Sequence, residues 1–121
     1  MEQKQNKRST GSKGEDIACE FLSKLGYKII ERNYRYRHGE IDIIAKDGGI
    51  FVFVEVKYRK SLEYGTPDTA ITNSKQKQIR KVAEAYLYEN EIKDTMCRID
   101  VVAILELPKQ KPEINHYMNA F

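Results

Sequence analysis

Apolar and polar positions change period several times along the 121-residue chain, and each change marks an element. Ile17, Ala18, Phe21, Leu22 and Leu25 recur at helical spacing and stop at Gly26, which predicts a helix over about residues 13–25. "YKIIERNYRYR" then reads as a first strand and "GEIDIIAK" as a second. "KDGG" at residues 46–49 is a hairpin signal, and "IFVFVEVK" follows it as a third strand. A polar connection, "YRKSLEYGTPDTAITNS", carries Gly65 and Pro67. Ile79, Val82, Ala83, Tyr86 and Leu87 predict a second helix over about 73–90, with Asn73 or Ser74 as its cap. "MCRIDVVAILEL" is a fourth strand; after a break at "PKQKP", "EINHYM" is a short last one. The order α-β-β-β-α-β-β predicts an α/β protein with helices packed on a mixed central sheet.

Composition narrows the class without naming a chemistry. The chain is 40% hydrophobic and 32% charged, ordinary for one globular domain and too apolar for wholesale disorder. Residues 1–12 hold Lys4, Lys7 and Arg8 with no apolar periodicity, and read as a flexible basic arm ahead of a single domain over 13–121. No run approaches a membrane span, and the first residues lack the apolar stretch of a signal peptide, so a cytoplasmic protein without a membrane partner is expected. Cys19 and Cys97 are far apart and outside any CxxC spacing, and read as small buried hydrophobes. The net charge of +3 permits an anionic partner. In "NYRYRHG", Arg35 and Arg37 alternate with Tyr34 and Tyr36: cations for phosphates and rings for bases, or equally the solvated face of an edge strand.

The acids carry the chemical question. Strand alternation puts Glu40, Asp42 and Ile44 on one face, opposite Ile41, Ile43 and Ala45; on the next strand Phe51, Phe53, Glu55 and Lys57 share a face. A hairpin closed so that Ala45 faces Ile50 sets Glu40 opposite Glu55 and Asp42 opposite Phe53. Carboxylates converging on a sheet must pair, protonate or hold a cation. Two carboxylates and a backbone carbonyl, with Val56 supplying the carbonyl, suit magnesium or manganese. Lys57 then stands where a water would attack a phosphate. An ion pair among Glu40, Glu55 and Lys57 on a solvated face accounts for the same residues without catalysis. Glu15, in line with Ala18 and Leu22, either reaches over the sheet to this group or closes a capping box with Ser12. Lys75 and Gln76 open the second helix, where a phosphate contact and a surface position are both open. Arg98 and Asp100 share a strand face and read as a structural ion pair. His38, beside Gly39, reads as a turn residue, and neither it nor His116 has metal-ligand spacing.

"GEIDII…FVEVK", together with "GSKGEDIA", "RNYRYR", "SKQKQI", "RIDVVAI" and the closing "NAF", resembles the YraN family of small bacterial proteins over nearly the whole chain. That family is similar to the PD-(D/E)xK nucleases and, in its core, to archaeal Holliday-junction resolvases. The resemblance implies a restriction-endonuclease-like three-layer fold, with Asp42 and Glu55 as metal ligands, Lys57 as the catalytic lysine and Glu15 as an accessory acid. Ile41 stands where the superfamily name has proline. The expectation is a magnesium- or manganese-dependent endonuclease acting on DNA, with branched or otherwise structured DNA in view and a homodimer physically reasonable. In that expectation Arg35, Arg37, Lys75 and Gln76 contact nucleic acid and Glu40 supports the ligands. The alternative is a nucleic-acid-binding or interaction protein that keeps the fold without turnover.

Overall fold

The computed structural model describes residues 9–62 and 71–121. Its elements are α1 (Ser9–Lys24), β1 (Lys28–Tyr36), β2 (Gly39–Asp47), β3 (Ile50–Arg59), α2 (Asn73–Glu89), β4 (Cys97–Leu105) and β5 (Glu113–Tyr117). The strands lie side by side in chain order, β1-β2-β3-β4-β5. Neighbours are antiparallel except β3 and β4, whose parallel pairing needs a crossover, and α2 lies in it.

Each helix covers one face of the sheet. Ala18 and Leu22 of α1 pack on Ile43, Ala45, Val52, Val54, Val102 and Ile104. Ile79, Val82, Ala83 and Tyr86 of α2 pack on Ile44, Phe51, Phe53 and Ile99. β3 is therefore buried on both sides, which is why "IFVFV" is continuously apolar where a half-exposed strand would alternate. Burial of each large side chain contributes roughly 1.5–3 kcal/mol to this three-layer α/β arrangement.

Several local expectations are corrected. α1 begins at Ser9, so residues 9–12 of the expected arm are helical; residues 1–8 lie outside the described residues, as do Gly65 and Pro67 of the connection. Ser12 is thus inside the helix and caps nothing, which removes the capping box, and Leu25 lies past its end, 53% exposed. The cap of α2 is Thr72, whose Oγ1 accepts from Lys75 N–H at 3.1 Å, one residue ahead of Asn73. Cys97 is exposed and Cys19 is half-buried against the core.

The hairpin register is shifted by two residues. Gly48 and Gly49 reverse the chain by themselves, with Gly48 at φ +61°, so Asp47 pairs with Ile50 and Ile44 with Phe53. Continued one step past Ile43 and Val54, the same register sets Asp42, and not Glu40, across from Glu55. Alternation in β2 also slips. Ile41 packs on the α2 side with Ile44, whereas Ile43 and Ala45 face α1. A matching irregularity stands in β1, where Asn33 has φ +55° and consecutive residues Arg32 and Asn33 both reach Glu15 of α1.

Candidate metal and phosphate site

The close approach of α1 to β3 begins at Gly14. A Cβ there would lie 2.8 Å from the Cβ of Tyr58, so only glycine lets the helix settle at this point. The next residue, Glu15, is carried onto the sheet and is buried. One oxygen each from Glu15, Glu40 and Asp42 lies within 4.8 Å of the other two.

The shortest polar contacts of this group come from neutral donors. The Asn33 amide donates to Glu15 at 2.9 Å and to Glu40 at 2.8 Å, bridging two carboxylates. Arg32 approaches Glu15 at 3.4 Å but pairs more closely with Asp16, at 2.8 Å. Asp42 accepts from the backbone N–H of Val56 at 2.8 Å, a bond between β2 and β3 beyond their last ladder pair. Burial first, and the neighbouring Glu55 second, push the Asp42 carboxyl up to about 7; Glu15 and Glu40 add to the rise and the Val56 amide opposes it. Burial also raises Glu55, while Lys75 and Lys57 draw it back.

The expected site residues separate into two groups. Glu15, Glu40 and Asp42 come together, with Glu40 a full member of the cluster where a supporting role was expected. Glu55 is close enough to act on Asp42 yet faces α2, where Lys75 Nζ stands 4.0 Å from its carboxylate. Lys57 lies within electrostatic reach of Glu55. Val56 contributes its amide to Asp42. Gln76 turns back to the carbonyl of Ile71 at 2.8 Å. Arg35 is largely exposed, 3.7 Å from Glu40, and Arg37 sits over the ring of Tyr36. Asn33 and Arg32 were not anticipated; a polar pair inside a strand with no turn signal was the one available hint.

A second polar group lies on β4. Asp100 is completely buried and fully answered: Arg98 at 3.0 Å, His116 Nε2 at 2.7 Å and the backbone N–H of Asn119 at 2.9 Å all donate to it. Arg98 also bonds Asp47 and the hydroxyl of Tyr27. The expected Arg98–Asp100 pair is present, and His116 joins it across the β4–β5 ladder.

The oxygen-only donor set Glu15, Glu40 and Asp42 fits a hard divalent cation, which prefers carboxylate and water ligands. Among the described residues, no helix is long and apolar enough to cross a membrane. Fold and site together define an α/β domain with a carboxylate cluster where α1 meets the sheet. The chain belongs to the uncharacterised protein family UPF0102, whose model matches residues 14–104. It is 47% identical over 117 residues to a UPF0102 protein of Caldicellulosiruptor saccharolyticus, covering 96% of this chain and 99% of that one. It is 49% identical over 111 residues to a UPF0102 protein of Geobacter sulfurreducens, covering 92% and 87%. A UPF0102 protein of Geobacter metallireducens is also 49% identical, over 114 residues, covering 94% and 93%.

Proposed function

We propose that the protein is a metal-dependent endonuclease of the PD-(D/E)xK type that hydrolyses phosphodiester bonds in DNA, with branched or structured DNA as the substrate class to test first. The observation that carries this reading is the cluster of Glu15, Glu40 and Asp42, which lies beside Glu55 and whose closest donors are the Asn33 amide and the Val56 N–H, with Arg32 and Arg35 farther off at 3.4 and 3.7 Å. Carboxylates gathered in this way call for a cation. A bound magnesium or manganese ion would supply positive charge to the phosphate under attack.

The chain's own residues then divide the work. Asp42 and Glu15, with Glu40, hold the cation, and Glu55 extends the acidic wall from β3. Lys57, beside Glu55, orients the attacking water and receives the developing negative charge. Lys75, at the N-terminal turn of α2, offers a second positive group for the phosphate. The resemblance carried by "GEIDII…FVEVK", which implies a core similar to archaeal Holliday-junction resolvases, is the ground for testing branched DNA first.

The test is manganese titration calorimetry on the wild type and on Asp42→Ala, paired with cleavage of single-stranded, duplex and branched DNA. Binding lost in Asp42→Ala is expected, with at least ~10²-fold slower cleavage in Asp42→Ala, Glu55→Ala and Lys57→Ala. Full activity in all three variants would refute the site. A non-catalytic nucleic-acid-binding protein is the second reading, favoured by the hydrogen bonds that Asn33 and Val56 already give the acids. Wild type that binds DNA but neither manganese nor turnover would establish it.

A further inference from the structure

A basic recess lies apart from the acids. The two-residue turn between β1 and β2, Arg37 and His38, leans on α2, and Gln78 Nε2 donates to the carbonyl of His38 at 3.2 Å. Gly39 makes this approach possible: a Cβ there would lie 2.5 Å from Val82 Cγ2 and 2.9 Å from Gln78 Cγ. Between turn and helix a cleft of about 380 Å³ is left open, its cations Arg37, Lys77 and Lys81 and its aromatic wall Tyr36. Among the described residues, no carboxylate lines it.

We infer that this cleft holds a single strand of nucleic acid next to the nucleotide that faces the acids, with phosphates on Lys77 and Lys81 and a base stacked on Tyr36. The inference rests on the nuclease reading for its position and deepens it by naming the strand path. Three cations with no acid among them select a polyanion, and an aromatic wall selects bases over a bare phosphate. The volume accommodates a nucleotide or two, whereas a duplex is far too wide to enter.

The direction of the strand follows from the charges at the cleft's two ends. Toward the far end of α2 the recess continues past Glu84 and Glu89, which repel phosphate. Toward the start of α2 it reaches Ser74, whose neighbour Lys75 contacts Glu55, and Gly39, whose neighbour Glu40 belongs to the acidic cluster. With the cation that the nuclease reading puts on the acidic cluster, a strand held on Lys77 and Lys81 would run toward that cluster and away from the helix's C-terminal half. Arg37 adopts φ +56° at the turn, so a costly backbone conformation places this cation at the cleft.

The test uses the full chain in chelator with a fluorescein-labelled oligothymidylate, and the same sequence as duplex, so that binding is read without cleavage. Lys77→Glu/Lys81→Glu is expected to weaken single-strand binding at least ten-fold and to lower the slope of log K against log salt by about 1.4, two phosphate contacts' worth. Lys24→Glu/Lys28→Glu, the same charge change at the opposite end of β1, should leave binding within about two-fold. Tyr36→Leu, which keeps the apolar packing, should weaken binding about ten-fold, and Tyr36→Trp should restore it. Unchanged binding in Lys77→Glu/Lys81→Glu, equal affinity for duplex, or no wild-type binding overturns the inference. Since the acids take no part in this assay, cleavage that survives in Lys77→Glu/Lys81→Glu refutes the cleft and spares the nuclease reading. Strand binding in a protein without metal-dependent cleavage does the reverse.

Discussion

Asp100 and Asp42 are carboxylates on the same sheet, and their surroundings are opposites. Asp100 has lost all contact with water and gained a guanidinium, an imidazole and a backbone amide. Asp42 is less deeply placed, its neighbours are Glu15, Glu40 and Glu55, and it accepts from the backbone amide of Val56. A buried charge with a complete set of partners ties strands together; one surrounded by its own kind works against folding until something positive arrives. The contrast separates an acid that serves the fold from one that the fold tolerates.

The largest expected effect tests the first half. Asp100→Ala leaves Arg98 and His116 without their shared acceptor in a place that water scarcely reaches. It should cost about 3–5 kcal/mol in urea unfolding. Asp42→Ala in metal-free buffer at neutral pH should cost far less, because lost repulsion offsets the lost bond to Val56. Equal losses in the two variants would break the comparison.

A smaller effect, opposite in sign, tests the second half. With the Asp42 carboxyl pushed up to about 7 from an ordinary value near 3.8, the folded state holds its proton more tightly than the unfolded chain. The resulting stability is complete below about pH 4 and is lost as pH rises through 7. The groups facing Asp42 from α1, β2 and β3 are Glu15, Glu40 and Glu55, with Lys57 and Lys75 beside the last. Asp42→Asn keeps an oxygen for the Val56 amide and sheds the charge, so metal-free protein at pH 8 should gain about 1–3 kcal/mol. That gain should vanish near pH 4, as unfolding midpoints across the range will show. Manganese should raise the thermal midpoint of the wild type at pH 8 and leave Asp42→Asn unmoved.

Gly14→Ala probes how the acids are gathered. The added methyl meets the Cβ and Cγ of Tyr58 at 2.8 and 2.9 Å, neither of them the free end of a side chain. A loss of about 1–3 kcal/mol is expected from overpacking, with weaker manganese binding as Glu15 is lifted from the sheet.

How much of this was legible in the sequence depended on the range of the cause. Element order and the mixed sheet followed from local signals: the helical spacing of Ile79, Val82, Ala83 and Tyr86, and the "KDGG" turn between apolar runs. Asp42 and Glu55 could be brought together because a hairpin joins their strands. The two-residue error in register came from closing the turn too widely, and its even size left Asp42 beside Glu55. The slip in β2 alternation was hidden, as was the left-handed backbone at Asn33 on the neighbouring strand, inside a stretch that reads as plain strand. The partners of Asp100 were hidden for another reason: His116 reaches it across the β4–β5 ladder and Asn119 from just past the end of β5, and neither carries a local signal.

Asn33 gives the finest test of the contrast, because its neutral amide does for Glu15 and Glu40 what the Arg98 cation does for Asp100. Its backbone is left-handed, a conformation that asparagine and glycine accept more readily than other residues, so Asn33→Gly removes the amide while keeping the chain path. The two carboxylates then face each other without the bridge. Metal-free stability at pH 8 should fall by about 1 kcal/mol. The part due to the bridge should disappear in a Glu40→Gln background, where one of the two charges it bridges is gone, leaving only glycine's backbone entropy. If the loss is the same in both backgrounds, Asn33 matters for the turn of the backbone alone, and the acids are held apart by α1 and β2 without its help.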